Sequence, residues 1–291
     1  MMRRMSMAVL TMGFVMNAAL AARTPTVVVA SDAGTTPAST TIGSIGPATG
    51  TGCAPDAVAA GAVCLDKYEA SVWRVPEPAT ANAALVRKIQ VGKATRADLT
   101  AGGATQLGTT VDYDPCADNG QNCANDIYAV SLPAEIPSSR ITWFQAQEAC
   151  ANSGKRLPTN AEWQTGANGS PDPGPDNGAT DCNSATGTAS PTGSRSSCVS
   201  ARGAFDMVGN VAEWVADWAP RSAQCTGWGG FSDDGMCFAG ASETGTGPGA
   251  LVRGGSFSFA SFGGPTAGPL SINGTLQPTA GNVFVGFRCA R

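Results

Sequence analysis

Glycine and proline set the strongest limit on what this chain can fold into. The 291 residues include 37 glycines and 19 prolines, about a fifth of the whole, which is high for a packed domain but below the share that marks disorder throughout. Glycine weakens helix and strand interiors and proline interrupts them. A loop-rich globule is therefore expected. The ten cysteines, an even number, read as disulfides that brace such a globule in an oxidising compartment.

What the chain lacks excludes whole chemistries. It contains no histidine, so it has no His-dependent triad, no His-ligated metal and no side chain that titrates near neutrality without perturbation. With 18 Lys and Arg against 22 Asp and Glu, the net charge is -4. No basic surface is available to neutralise a phosphate backbone, so nucleic acid is not an expected partner.

Composition also divides the chain. Arg3 and Arg4 precede an apolar run from Met5 to Leu20, and Ala19-Leu20-Ala21 gives the small-x-small pattern of a signal-peptidase site. Residues 1–21 are expected to be a signal peptide, with no membrane span after its cleavage, which makes the protein periplasmic, cell-surface or extracellular. Residues 22–52 are rich in Thr, Ser, Ala, Gly and Pro and read as a disordered linker. Residues 53–291 remain as one folded domain.

Inside that domain the helix signals are few. Thr142 with Gln145, and Thr159 with Glu162, each form the S/T-x-x-E/Q pattern of a capping box. The strand candidates are Ile127–Leu132, Leu251–Phe259 and Asn282–Cys289. The expected class is an irregular, loop-rich α+β domain. Trp143, Trp163, Trp214 and Trp218 are expected in the core.

Four stretches together resemble the formylglycine-generating-enzyme, or sulfatase-modifying-factor, family. They are Cys64 to Glu69 (CLDKYE), Ile141 to Trp163 (ITWFQAQEACANSGKRLPTNAEW), Gly203 to Trp214 (GAFDMVGNVAEW), and Arg253 to Phe257 (RGGSF) with the terminal Gly286 to Arg291 (GFRCAR). The resemblance implies that family's variant of the C-type-lectin fold. It also implies a structural calcium site in DMVGNVAEW, with Asp206, Asn210 and Glu213 as oxygen ligands and the carbonyls of Gly209 and Val211 turned inward. The same residues allow a second reading: Asp206 as a cap, Asn210 in a turn and Glu213 paired to a buried arginine. Lys155 and Arg156 are read as structural, pairing with acids such as Glu162 or Glu213.

Sequence proximity suggests the pairs Cys53 with Cys64, Cys116 with Cys123, Cys182 with Cys198, and Cys225 with Cys237. The resemblance implies a long-range bridge between Cys150 and Cys289. Oxidase members of the family carry two further cysteines between the R-G-G-S strand and the terminal G-F-R-C, where they bind copper(I). Here Gly255 to Gly286 contains no cysteine, so copper is not expected, and the iron-dependent relatives need histidines that this chain lacks. The leading expectation is a calcium-stabilised binding or structural domain with an unidentified protein, peptide or glycan ligand. One alternative is a formylglycine-generating oxidase that takes its metal thiols from Cys225 and Cys237. Another is a retroelement-diversified variable protein, since the diversified segment of such proteins lies between a similar R-G-G-S strand and G-F-R. Its displayed residues would be Ser258, Phe259, Ser261, Phe262, Asn273, Asn282 and Phe284. Asp66, Glu69 and Asp217 remain open as acid–base groups, with no catalytic residue assigned.

Overall fold

In the computed structural model the described residues are 52–116, 126–172, 174–241, 247–258 and 262–291. The chain enters through a hairpin of β1 (Ala57–Ala60) and β2 (Val63–Asp66), closed by the Cys53–Cys64 disulfide. β3 (Ala70–Arg74) follows, then two short helices, α1 (Ala83–Gln90) and α2 (Arg96–Ala101). β4 (Thr105–Leu107) and β5 (Ile127–Ser131) flank β3 on either side in an antiparallel three-stranded sheet. Neither α1 nor α2 was anticipated, although Thr95 and Asp98 form a capping box at the start of α2.

Both expected capping boxes are made. They open α3 (Trp143–Asn152) and α4 (Asn160–Gly166). Thr142 Oγ1 accepts from the Gln145 amide at 3.2 Å while Gln145 Oε1 accepts from the Thr142 amide at 3.0 Å. Thr159 and Glu162 repeat the exchange at 3.2 and 2.8 Å. Each box satisfies donors that the first helical turn leaves free.

The second half supplies β6 (Ala212–Ala219), β7 (Ser222–Gln224), β8 (Met236–Cys237), β9 (Ala239–Ala241), β10 (Gly249–Arg253), β11 (Ile272–Asn273) and β12 (Val285–Phe287). Five of them form a mixed sheet in the order β12-β6-β10-β11-β8, with β12 parallel to β6 and β11 parallel to β8. β7 and β9 make a separate pair. The irregular α+β class expected from composition is the class observed.

The largest core cluster packs α3 between the two main sheets, around Trp214, Phe287, Ile141 and Leu157. The Cys150–Cys289 disulfide crosses it, joining residues 139 apart in sequence. In the chain-entropy model a closure of that length contributes up to about 5 kcal/mol. Trp163 and Trp214 are fully buried, but Trp218 is 44% exposed, which corrects the expectation that all four motif tryptophans lie in the core. β6 runs past the core, and Trp218 near its end meets Trp143 and Phe144 edge-on, with centroids 5.0 and 5.7 Å away. Its other side stays open.

Candidate functional site

The segment from Asp206 to Glu213 is a tight turn leading into β6. Asp206, Gly209 and Asn210 all have positive φ, a region that Asp, Asn and Gly tolerate best. At Gly209 an added Cβ would lie 2.4 Å from the Asn183 carbonyl oxygen, so only glycine fits there. The turn brings two acids, Asp206 and Glu213, into the interior, where Glu69 and Arg288 join them from other segments. Glu213, at the start of β6, faces Arg288, just past β12, because the parallel register sets Phe287 beside Trp214. Arg288 Nε and Nη2 donate to the two Glu213 oxygens at 2.7 and 2.6 Å, and Trp163 Nε1 adds a third bond at 2.7 Å. The remaining Arg288 donors reach the carbonyls of Asp66 and Phe205 at 3.0 and 2.8 Å.

Glu69 completes this buried group. Its Oε1 accepts the Val211 amide at 2.9 Å and its Oε2 accepts Asn210 Nδ2. Burial, followed by the charges of Asp206 and Glu213, pushes the Glu69 carboxyl well above the usual carboxylate range. Burial likewise raises Asp206 to about 6, against the lowering effect of the Gly193 amide, which it accepts at 2.7 Å.

Asp206, Gly209, Asn210, Val211 and Glu213, the expected calcium set, therefore lie within one turn, but its acid Glu213 is paired with the Arg288 guanidinium. Both Glu213 oxygens are engaged by Arg288 and Trp163. The Asn210 side-chain oxygen accepts from the Ser190 amide at 2.8 Å and from Asn183 Nδ2 at 3.1 Å. With a buried cation already present and these oxygens facing N–H donors, the arrangement does not fit a calcium shell. Nor does the pairing of Lys155 and Arg156 involve Glu213. Lys155 bridges Asp56 and Asp66 at 2.9 and 2.6 Å, while Arg156 forks onto Glu162 with two bonds of 2.7 Å. Asp217 accepts the Asn160 amide at 2.6 Å, at the start of α4.

Asn210 links this interior to the surface. Its backbone oxygen accepts from the Phe257 amide at 2.8 Å, the Phe257 oxygen accepts from the Gly187 amide at 3.1 Å, and Asn183 Nδ2 donates to the Thr188 oxygen at 2.9 Å. These bonds hold two walls of a cleft of about 420 Å3. One wall is Gly187, Thr188 and Ala189; the other is Phe257 and Ser258. Ile136, Pro137, Ser139 and Val283 lie opposite, with Gly108 and Thr109 at the margin. Behind the Phe257 wall, Gly254 and Gly255 both have positive φ, and a Cβ on either would come within 2.7 Å of Met207 O or 2.5 Å of Ala267 Cα. That is why the R-G-G-S segment requires its glycines, and why β10 stops at Arg253 instead of continuing along the expected strand Leu251–Phe259.

Among the described residues the cleft lining is uncharged. Its hydroxyls come from Thr109, Ser139, Thr188 and Ser258, and the remaining lining residues present apolar side chains or backbone. Among the described residues this lining offers apolar contact and hydroxyl hydrogen bonds. Of the described residues expected on display, only Ser258 lines the cleft. Asn273 turns to its own loop, accepting from the Thr275 amide at 2.7 Å, and Phe284 packs against the main core. Phe262 lies over Gly235. The Asn282 carbonyl accepts the Arg140 amide at 2.8 Å. Phe259 and Ser261 fall outside the described residues.

The thiols are accounted for in pairs. Cys53–Cys64, Cys150–Cys289, Cys182–Cys198 and Cys225–Cys237 are disulfides, and no cysteine is free among the described residues. Cys123, the expected partner of Cys116, lies outside them. Cys225 and Cys237, the alternative copper ligands, are bonded to each other.

Fold and site together define a disulfide-braced, loop-rich α+β domain built on a buried arginine–carboxylate hub, with a surface cleft beside the R-G-G-S strand. The chain belongs to the sulfatase-modifying factor enzyme 1-like domain family, whose model matches residues 79–291, and with that family goes the C-type-lectin-like fold. No curated protein matches the chain at a significant level. Among solved structures it is similar to PvdO from Pseudomonas aeruginosa, at 22% identity over 79% of this chain and 80% of that one, with a TM-score of 0.42. It is also similar to Treponema denticola variable protein 1, at 20% identity over 61% and 77% with a TM-score of 0.31. A third similarity is to the Major Tropism Determinant P3c variant, at 21% identity and a TM-score of 0.33. That match covers 51% of this chain and 37% of the other, so the chain spans little more than a third of that protein's length.

Proposed function

We propose that this chain is an exported binding domain that keeps the family scaffold without its oxidase chemistry, and that its ligand is a neutral molecule or peptide segment held in the cleft between residues 187–189 and 257–258. The uncharged lining of that cleft is the observation that supports the reading most directly. Copper(I) requires soft sulfur ligands, and the segment from Gly255 to Gly286 has none. Export is supported by the disulfides and by the character of residues 1–21. No helix among the described residues is long and apolar enough to cross a membrane.

Two assays test the proposal. A Cys-x-Pro-x-Arg peptide incubated with the protein, copper, reductant and oxygen is expected to come back unchanged by mass; its aldehyde would overturn the non-oxidase reading. Uncharged peptides and saccharides screened against wild type and against Ala189→Trp, which fills the cleft, are expected to yield binders that the variant loses. Binders that the variant retains would place the ligand elsewhere.

A further inference from the structure

A second cluster of acids lies away from the arginine hub. A carboxylate oxygen from each of Asp172, Asp233 and Asp234 lies within 4.8 Å of the other two. Asp172 belongs to the loop after α4, and the Asp233-Asp234 pair sits between a short 3-10 turn, Gly229–Phe231, and β8. None of the ion pairs among the described residues involves these three acids. The charge is therefore concentrated, and the cation that acts on Asp234, Arg253, does so from beyond ion-pair distance.

Asp234 distinguishes this cluster from an ordinary acidic surface. Only 2% of the residue is exposed. Its Oδ2 accepts the Leu270 amide at 2.6 Å, yet its Oδ1 is shielded from water and has no hydrogen-bond partner. A buried carboxylate oxygen without a donor is costly unless something positive meets it. Its place is prepared by the backbone: a Cβ on Gly268 would fall 1.6 Å from Asp234 Oδ1, so that glycine leaves room for the carboxylate. The loop is fixed on both sides. Met236 pairs with Ile272 in the parallel β8–β11 ladder, the Gly235 amide donates to Thr266 O at 2.8 Å, and the Cys225–Cys237 disulfide anchors the strand.

We propose that Asp172, Asp233 and Asp234 bind one divalent cation of the calcium class. The donors are hard oxygens with no nitrogen or sulfur among them, which selects calcium-like ions over transition metals. The exposed Asp172 and Asp233 close the site from the solvent side and leave room for water ligands, while Asp234 anchors it. The Asp-Asp pair meets its third member only across about sixty residues of chain, so no local pattern marks the three as a group.

The test is calorimetric titration of the chelator-treated full chain with calcium chloride, alongside its thermal midpoint. Wild type is expected to bind one calcium per chain and to melt at a higher temperature when loaded. Asp172→Asn combined with Asp233→Asn changes two exposed side chains, so the fold should survive, as its circular dichroism can verify. It is expected to bind at least tenfold more weakly and to lose the thermal shift. The proposal is overturned if wild type takes up no calcium at about 10 mM, above the 10⁻⁴–10⁻³ M range of extracellular modules. It is equally overturned if the double variant binds as tightly as wild type, which would assign the ion to another site.

Discussion

Arg288, one residue beyond the last strand, grips Glu213 through two parallel N–H···O bonds of 2.6 and 2.7 Å, with both side chains shut off from water. Bidentate geometry and the extra bonds to backbone carbonyls are what offset the desolvation of such a pair. Removing one partner leaves the other charge buried and alone. Arg288→Ala is expected to lower unfolding stability by about 3–5 kcal/mol, measured by urea denaturation, and Arg288→Lys by less, since the charge stays while the fork is lost. A variant within about 0.5 kcal/mol of wild type would show that the hub does not hold β6 to the segment after β12.

Stability should also rise on mild acidification. Asp206 has a folded-state pKa of about 6 against an ordinary 3.8. The folded protein therefore takes up this proton before the unfolded chain does, and folding gains as pH falls through 6 towards 4. Burial of Glu69 acts in the same direction. At about 1.4 kcal/mol per unit, Asp206 contributes on the order of 2–3 kcal/mol. Glu162 acts oppositely. Its hydrogen bonds to Arg156 lower it from 4.5 to about 2, so its stabilising contribution disappears as pH falls across that interval. The thermal midpoint is expected to be higher near pH 5 than at pH 7.5, and Asp206→Asn to flatten the difference.

The local part of this architecture was legible and the long-range part was not. Thr142 with Gln145 and Thr159 with Glu162 lie three residues apart and act on their own backbone, so the pattern alone locates α3 and α4. The T-x-x-D of Thr95 and Asp98 carried the same signal for α2. Glu69 and Asn210, by contrast, are 141 residues apart, and nothing local marks them as partners. The segment DMVGNVAEW was recognisable as a unit, but which cation its acids face depends on Arg288, brought in by the parallel pairing of β12 with β6. The cleft was least visible: Gly108, Gly187 and Ala189 contribute backbone and space, which leave no chemical trace in a sequence. Trp218 was misplaced because membership of a strand does not reveal where the covering layer ends.

Loss of the long disulfide should be costly. Cys150→Ala with Cys289→Ala is expected to reduce stability by about 2–5 kcal/mol, read from the denaturant midpoint, because the bond closes the longest of the observed disulfide loops. The corresponding change at Cys53 and Cys64, which closes a loop of sequence separation 11, should cost less.

Asn210 should couple the interior to the cleft. Asn210→Ala removes the side-chain bonds to Glu69, Asn183 and Ser190 and leaves buried partners unsatisfied, at about 1–3 kcal/mol. Amide exchange is expected to accelerate selectively at Gly187 and Ser190, where the cleft wall is tied down, and to stay slow at Ala129 in β5. Uniform acceleration would indicate global destabilisation alone.

The proposal that this chain carries no copper chemistry is tested most directly by titrating the non-reduced, folded protein with copper(I) against a chromophoric chelator. The expected result is that the chelator keeps all of the metal, because no cysteine among the described residues is free. Retention of one equivalent of copper(I) by the protein, in competition with the chelator, would contradict it and restore an oxidase to this fold.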